Sequence, residues 1–229
     1  MDLGNLSPAL ILTLIVALAL GPYVAVMITA FTKLVVVFSL LRNALGLQQT
    51  PPNIVLNGLA IILSFYVMYP VALEMQTAVG PQLLQEQPAQ PGQPNAKKQP
   101  SLNELLAMAD RAKEPLKSFL VRHTSAEERE FFLSTLRKTL PEDKRAAATS
   151  EDLIVVVPAF TVSELARAFQ IGFIIFLPFL VIDLIVANIL QAMGMMMLSP
   201  TTISLPFKLL LFVLLDGWSK LIHGLVLTY

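Results

Sequence analysis

The 229-residue chain contains no cysteine. A disulfide framework, a thiolate nucleophile and a cysteine metal site are all excluded by that one absence. Histidine is nearly as scarce: His123 and His223 lie far apart and outside any metal-binding spacing such as H-E-x-x-H, so each reads as an exposed or capping residue. There is no G-x-x-x-x-G-K-[ST] phosphate loop, no G-x-S-x-G elbow and no G-x-G-x-x-G, and no His stands beside a Ser or Asp at a spacing that would make a nucleophilic pair. Charged residues make up only 14% of the chain, where soluble domains carry about a quarter. Lys and Arg cancel Asp and Glu to a formal net charge of zero, so the electrostatic footprint of a nucleic-acid binder is missing. No catalytic residue, cofactor or metal is expected, and no nucleic-acid partner.

What fills the space is apolar. Hydrophobic residues account for 55% of the sequence and the mean hydropathy is +0.68, which is the composition of a membrane protein. Between Asp2 and Lys33 there is no charge, and the run LSPALILTLIVALALGPYVAVMITAF exceeds the roughly 20 residues needed to cross the hydrocarbon. Ala17-Leu18-Ala19 imitates a signal-peptide cleavage site, but a signal requires a basic n-region and the N-terminus offers only Asp2, so the segment is expected to be retained. FTKLVVVFSLLRNALGLQQTPP follows as a helix and turn closed by Pro51-Pro52, and NIVLNGLAIILSFYVMYPVAL, ending at Glu74, is a second charge-free run of spanning length.

Residues 75–150 differ in kind: 11 of the 16 basic and 9 of the 16 acidic residues lie there. The stretch PQLLQEQPAQPGQPNAKKQPS cannot build a core and reads as a linker. Ser101-Leu-Asn-Glu104 and Ser125-Ala-Glu-Glu128 then have the spacing of a capping box, in which the Ser oxygen accepts from a backbone N–H three residues on. Each precedes apolar positions at helical intervals, so a small helical insert is expected, with Pro115 kinking or splitting its first helix. Lys33 and Arg42, unaccompanied by acid, favour the cytoplasmic side for the first connection and put the insert on the other side. Three regions follow from composition: 1–74 hydrophobic helices, 75–150 a polar helical insert, and 151–229 a hydrophobic hairpin.

The last region poses the problem of the sequence. From Leu153 to Leu221 it is apolar enough for two membrane-length helices, yet it carries Glu164, Arg167, Asp183, Lys208, Asp216 and Lys220. A charge at the centre of a bilayer helix costs about 2.5–3.5 kcal/mol on insertion scales, so these groups must face protein or water. Thr161-Val-Ser-Glu164, just after Pro158, has capping-box spacing and predicts a helix start. Asp183 and Gln191 share a stripe of that helix, which Pro178 interrupts. Lys208, Phe212, Asp216 and Lys220 step by four along the next, forming a buried polar seam in which Asp216 and Lys220 pair locally. Between the helices, Gly194 is followed by Met195, Met196 and Met197. Pliable methionines fill irregular gaps; the cluster reads either as core or lipid-facing packing, or as a hydrophobic constriction when several copies meet.

The segments TAFTKLVVVFSLLRNALG, PAFTVSELARAFQIGF, LPFLVIDLIVANIL, AMGMMML and SPTTISLPFKLLLFVLLDGW together resemble the SctR/FliP family of type III secretion export-gate proteins, and SLLRNALGLQQTPPN is more similar to the injectisome branch than to the flagellar one. The resemblance covers nearly everything but the insert. It implies an all-α fold of membrane-associated helical hairpins with an extracytoplasmic (periplasmic) helical insert. Members assemble as a pentamer with SctS-type and SctT-type partners in the secretion basal body of the inner membrane, around a closed pore for unfolded secreted proteins. Their hydrophobic helices are held largely by protein. The resemblance places Met195, Met196 and Met197 in a methionine gasket, and Glu164 and Lys208 in an ion pair between neighbouring subunits. The rival expectation is an ion channel or transporter subunit in which Asp183 is the conduction or proton site.

Overall fold

In the computed structural model, residues 8–83, 102–195 and 197–229 are described. They form α1 (Pro8–Met27), α2 (Phe31–Ala44), α3 (Asn53–Leu83), α4 (Leu102–Arg122), α5 (Ala126–Thr139), α6 (Glu142–Arg145), α7 (Leu153–Ala192), α8 (Pro200–Leu214) and α9 (Gly217–Val226). No strand occurs among the described residues, and the fold is all-α. Among the described residues two helices are long and apolar enough to cross a membrane, Asn53–Val79 and Leu153–Ala192. Ala19–Met27 with α2, and α8 with α9, reach that length only as pairs bent by 70° and 61°. At 1.5 Å per residue the 40 residues of α7 extend about 60 Å, twice the thickness of a hydrocarbon core, so α7 is more than a simple span.

By packing, the chain divides into two units, residues 1–64 with 161–229 and residues 65–160. In the second unit, Leu133, Ala148 and Val155 form a small core with Phe132, Leu136 and Leu140 against it. Ser125 caps α5, its side chain accepting from the Glu128 N–H at 3.2 Å. The Ser101 box falls outside the described residues, as does most of the expected linker, although Pro81 to Leu83 belong to α3. Pro115 lies inside α4, which is one element rather than two. His123 is buried, not exposed, its ring 4.7 Å from that of Phe119.

The start of α7 is a second correction. The helix begins at Leu153, two turns before the expected Thr161 box, and runs through Pro158 and Pro178. Two things account for this. The Asp152 carboxylate accepts from the Thr149 N–H and hydroxyl, both at 2.9 Å, and the Asp152 carbonyl accepts from the Val155 and Val156 N–H groups, so the helix is nucleated there. The Thr149 N–H and hydroxyl also hold the Asp152 carboxyl below its usual range. Val155, Val156, Ala159 and Phe160 then bury completely in the second unit, which fixes these first turns. Thr161 to Glu164 are mid-helix, and Glu164 is free for another task.

In the first unit, Leu41, Ala44, Leu45, Phe179 and Phe212 form the core cluster between α2, α7 and α8. Trp218 meets Phe212 and Phe38 edge-on, at 5.6 and 6.3 Å between ring centroids, and ties the start of α9 to the same core. The approach of α2 to α7 depends on Gly172, because a Cβ built there overlaps the side chain of Leu40. Gly172→Leu should therefore destabilise the protein by about 1–3 kcal/mol, the usual effect of overpacking. Thermal unfolding in detergent reads this directly, and an unshifted midpoint would mean the two helices do not pack at this point.

Candidate functional site

Two buried ionic clusters and one turn account for most of the chemistry in the first unit. The first cluster forms where the start of α2 meets α7. Ala30 provides no side-chain cap for α2, and Lys33, in its first turn, adds positive charge where the helix dipole is already positive. Glu164 of α7 answers both, with Oε2 3.2 Å from Lys33 Nζ, and both side chains are 0% exposed. One turn on, Arg167 donates to Glu164 Oε1 at 3.1 Å, an i,i+3 pair. Tyr229, beyond α9, closes the cluster: its hydroxyl donates to Glu164 Oε2, and its ring centroid lies 3.4 Å from Lys33 Nζ in a cation–π contact.

The second cluster lies at the other end of α2. There Leu47 N–H bonds to Arg42 O and Gly46 N–H to Asn43 O, with Gly46 at φ +79°, the paired bonds of a Schellman stop. Lys208 of α8 donates to the Ala44 carbonyl at 3.2 Å and to Asp183 Oδ2 of α7 at 2.7 Å. A lysine thus satisfies a helix C-terminus and a carboxylate together. Ser204, one turn before Lys208, donates to the other Asp183 oxygen at 2.5 Å. Asp183 is consequently a partnered carboxylate, held by Lys208 and Ser204.

The turn between α7 and α8 follows a capped helix end. Gly194, at φ +70°, sits in a second Schellman stop, with Met195 N–H bonded to Leu190 O and Gly194 N–H to Gln191 O. On the far side Ser199 takes the N-cap position with Pro200 directly after it. Between these helix ends Met195 is 42% exposed and Met197 fully so. Met196 lies outside the described residues.

The candidates from the sequence are thereby sorted. Within one chain Glu164 and Lys208 do not meet; Glu164 joins Lys33 and Arg167, and Lys208 joins Asp183. The seam 208-212-216-220 is not continuous, because Asp216 adopts a left-handed conformation (φ 50°) and breaks the expected single helix into α8 and α9. Asp216 and Lys220 are exposed in the subunit and are not paired with each other. Sequence reasoning missed Lys33 and Tyr229 as partners of Glu164. The available signal was Lys33 itself, a cation in an apolar helix that needed an acid. Arg42 likewise has protein partners, Asn53 Oδ1 and the Pro51 carbonyl, so neither base that set the orientation is an open loop charge.

A helical protein that neutralises its own charges inside and keeps large apolar faces outside is built as a component of a membrane-associated assembly. The chain belongs to the FliP family, whose model matches residues 14–225. That family comprises structural export-apparatus proteins, not enzymes. The chain is 50% identical over 212 residues to Yop proteins translocation protein R of Yersinia pestis, covering 93% of this chain and 92% of that one. It is 45% identical over 225 residues to hypersensitivity response secretion protein HrcR of Ralstonia nicotianae (98% and 99% covered). Flagellar biosynthetic protein FliP of Bacillus subtilis is 39% identical over 219 residues (96% and 90% covered).

Proposed function

We propose that this chain is a core subunit of the type III secretion export gate, of the injectisome kind, forming a closed pore through which unfolded proteins leave across the bacterial inner membrane. In this reading several copies, five by the family pattern, assemble with SctS-type and SctT-type subunits, and the insert faces the periplasm. The names of the relatives at 45 and 50% identity, against 39% for the flagellar one, support the injectisome branch. The observation that carries the gate is the methionine turn. A Schellman stop at Gly194 ends α7 just before it, and the Met195 and Met197 side chains are exposed, so a ring of copies would present a compliant apolar plug. Replacing Met195 to Met197 with glycine should leave assembly intact and make the gate leak small solutes, seen as ion conductance of the purified complex in planar bilayers. A correctly assembled variant as tight as the parent would remove the gasket from the reading.

The ion pair between Glu164 of one copy and Lys208 of the next belongs to the same proposal. Both groups are buried and of opposite sign, which supports it; Lys33 and Asp183 compete for them within the chain. Glu164→Lys should abolish oligomers in native mass spectrometry, and the double change Glu164→Lys with Lys208→Glu should restore part of them. Rescue by Lys33→Glu instead would assign the charge entirely to the subunit's own fold.

A further inference from the structure

Asp216 and Lys220 are the charges of the bent α8–α9 pair that neither ionic cluster absorbs. The Lys220 N–H bonds to the Asp216 carbonyl at 3.1 Å, so the two residues are one turn apart. Their side chains nonetheless form no ion pair with any described residue, and both are exposed. Opposite charges left unpaired on so apolar a helix pair are available to partners from outside the subunit.

The surface around them has two complementary halves. Val213, Leu214 and Leu215, 70, 71 and 51% exposed, make the end of α8 an apolar ridge that wraps around the helix and stops at Asp216. Beside it lies a groove of about 470 Å³, walled by Leu41, Ile171, Ile175, Pro178 and Leu221, in which Lys220 is the only ionisable lining residue among the described residues. The ridge thus offers aliphatic side chains followed by a carboxylate, and the groove offers an aliphatic pocket with an ammonium at its edge. Because the ridge residues are exposed, they do not fill the groove of their own chain.

We infer that the Val213–Asp216 ridge of one copy docks in this groove of the next, with Asp216 paired to Lys220 across the boundary. The two surfaces differ, so the contact is heterologous: it runs head to tail and closes as a ring when the rotation permits. This rests on the reading of the chain as a self-assembling subunit and adds a specific contact to it. A lipid acyl chain would fit the apolar walls equally, but it would leave the ridge and its carboxylate unmatched.

The natural absence of cysteine makes the test direct. Full-length Leu215→Cys and Lys220→Cys variants, co-expressed in membranes and treated with a short bismaleimide, should yield copies linked to each other, with neither variant linking when expressed alone. Asp216→Asn, which tolerates the left-handed backbone, and Lys220→Gln should each weaken association at least about tenfold, and the double variant no further, as for a close charge pair. Linkage in Leu215→Cys alone would mean isologous packing and overturn the proposal. So would an oligomer intact by native mass spectrometry without any linkage, which leaves self-assembly standing while the groove is filled by lipid or another chain. A monomer in the parent protein would instead remove the self-assembly reading, and the contact with it.

Discussion

Glu164→Gln should lower the unfolding free energy of the detergent-solubilised subunit by about 3–5 kcal/mol, the cost of leaving a buried charge without its partner. The substitution keeps shape and volume, so cavity formation contributes little. What it removes is the one carboxylate, among the described residues, that is paired with Lys33, which is fully buried and would be left with apolar neighbours and the Tyr229 ring. Arg167, with its side chain 39% exposed, can turn to water and suffers less. Adding Lys33→Met should therefore recover most of the loss, since it removes the buried cation left without its partner. Trp218, the single tryptophan, packs in the core of the same unit and gives a fluorescence readout of denaturant unfolding. Equal stability of Glu164→Gln and parent would show that the Lys33–Glu164 pair contributes nothing to the folded subunit.

Lys208→Met should cost about 3 kcal/mol, the lower end of the same range. Its partner Asp183 has a quarter of its side chain exposed and can be rehydrated in part. The substitution also uncaps the Ala44 carbonyl, so backbone amides of the last turn of α2 should exchange with solvent faster than those of α5, which serves as an internal control. Asp183→Asn in the Lys208→Met background should restore stability without restoring that protection. If both variants left exchange at α2 unchanged, the lysine would be a partner of the carboxylate alone and not of the helix end.

These two clusters mark where local sequence stops being sufficient. The Ser125 cap and the stop at Gly194 were legible because each is decided within a few residues: a side-chain oxygen three positions before an N–H, or a glycine that can turn left-handed. The Thr161 box had equally good spacing and failed, since Asp152 had already started the helix and the burial of Val155 to Phe160 held it. Pairing of charges was visible as a need but not as an assignment. Lys33 finds its acid 131 residues away, and which acid it finds depends on how α2 lies on α7, a matter settled by Gly172 and the aromatic core. The break at Asp216 was hidden for another reason. Aspartate is an ordinary helix surface residue by pattern, and its left-handed backbone here follows from Gly217 and Trp218 turning into the core beside Phe212.

Lys208 also has a mechanical consequence. Its ammonium is fastened at once to the end of α2 and to the last turns of α7, while its own backbone lies two turns into α8, directly below the methionine turn. A pull on that turn along the α8 axis is therefore shared among three helices through one side chain, so that strain imposed at the tip is distributed to the base of the hairpin rather than unzipping α8 alone.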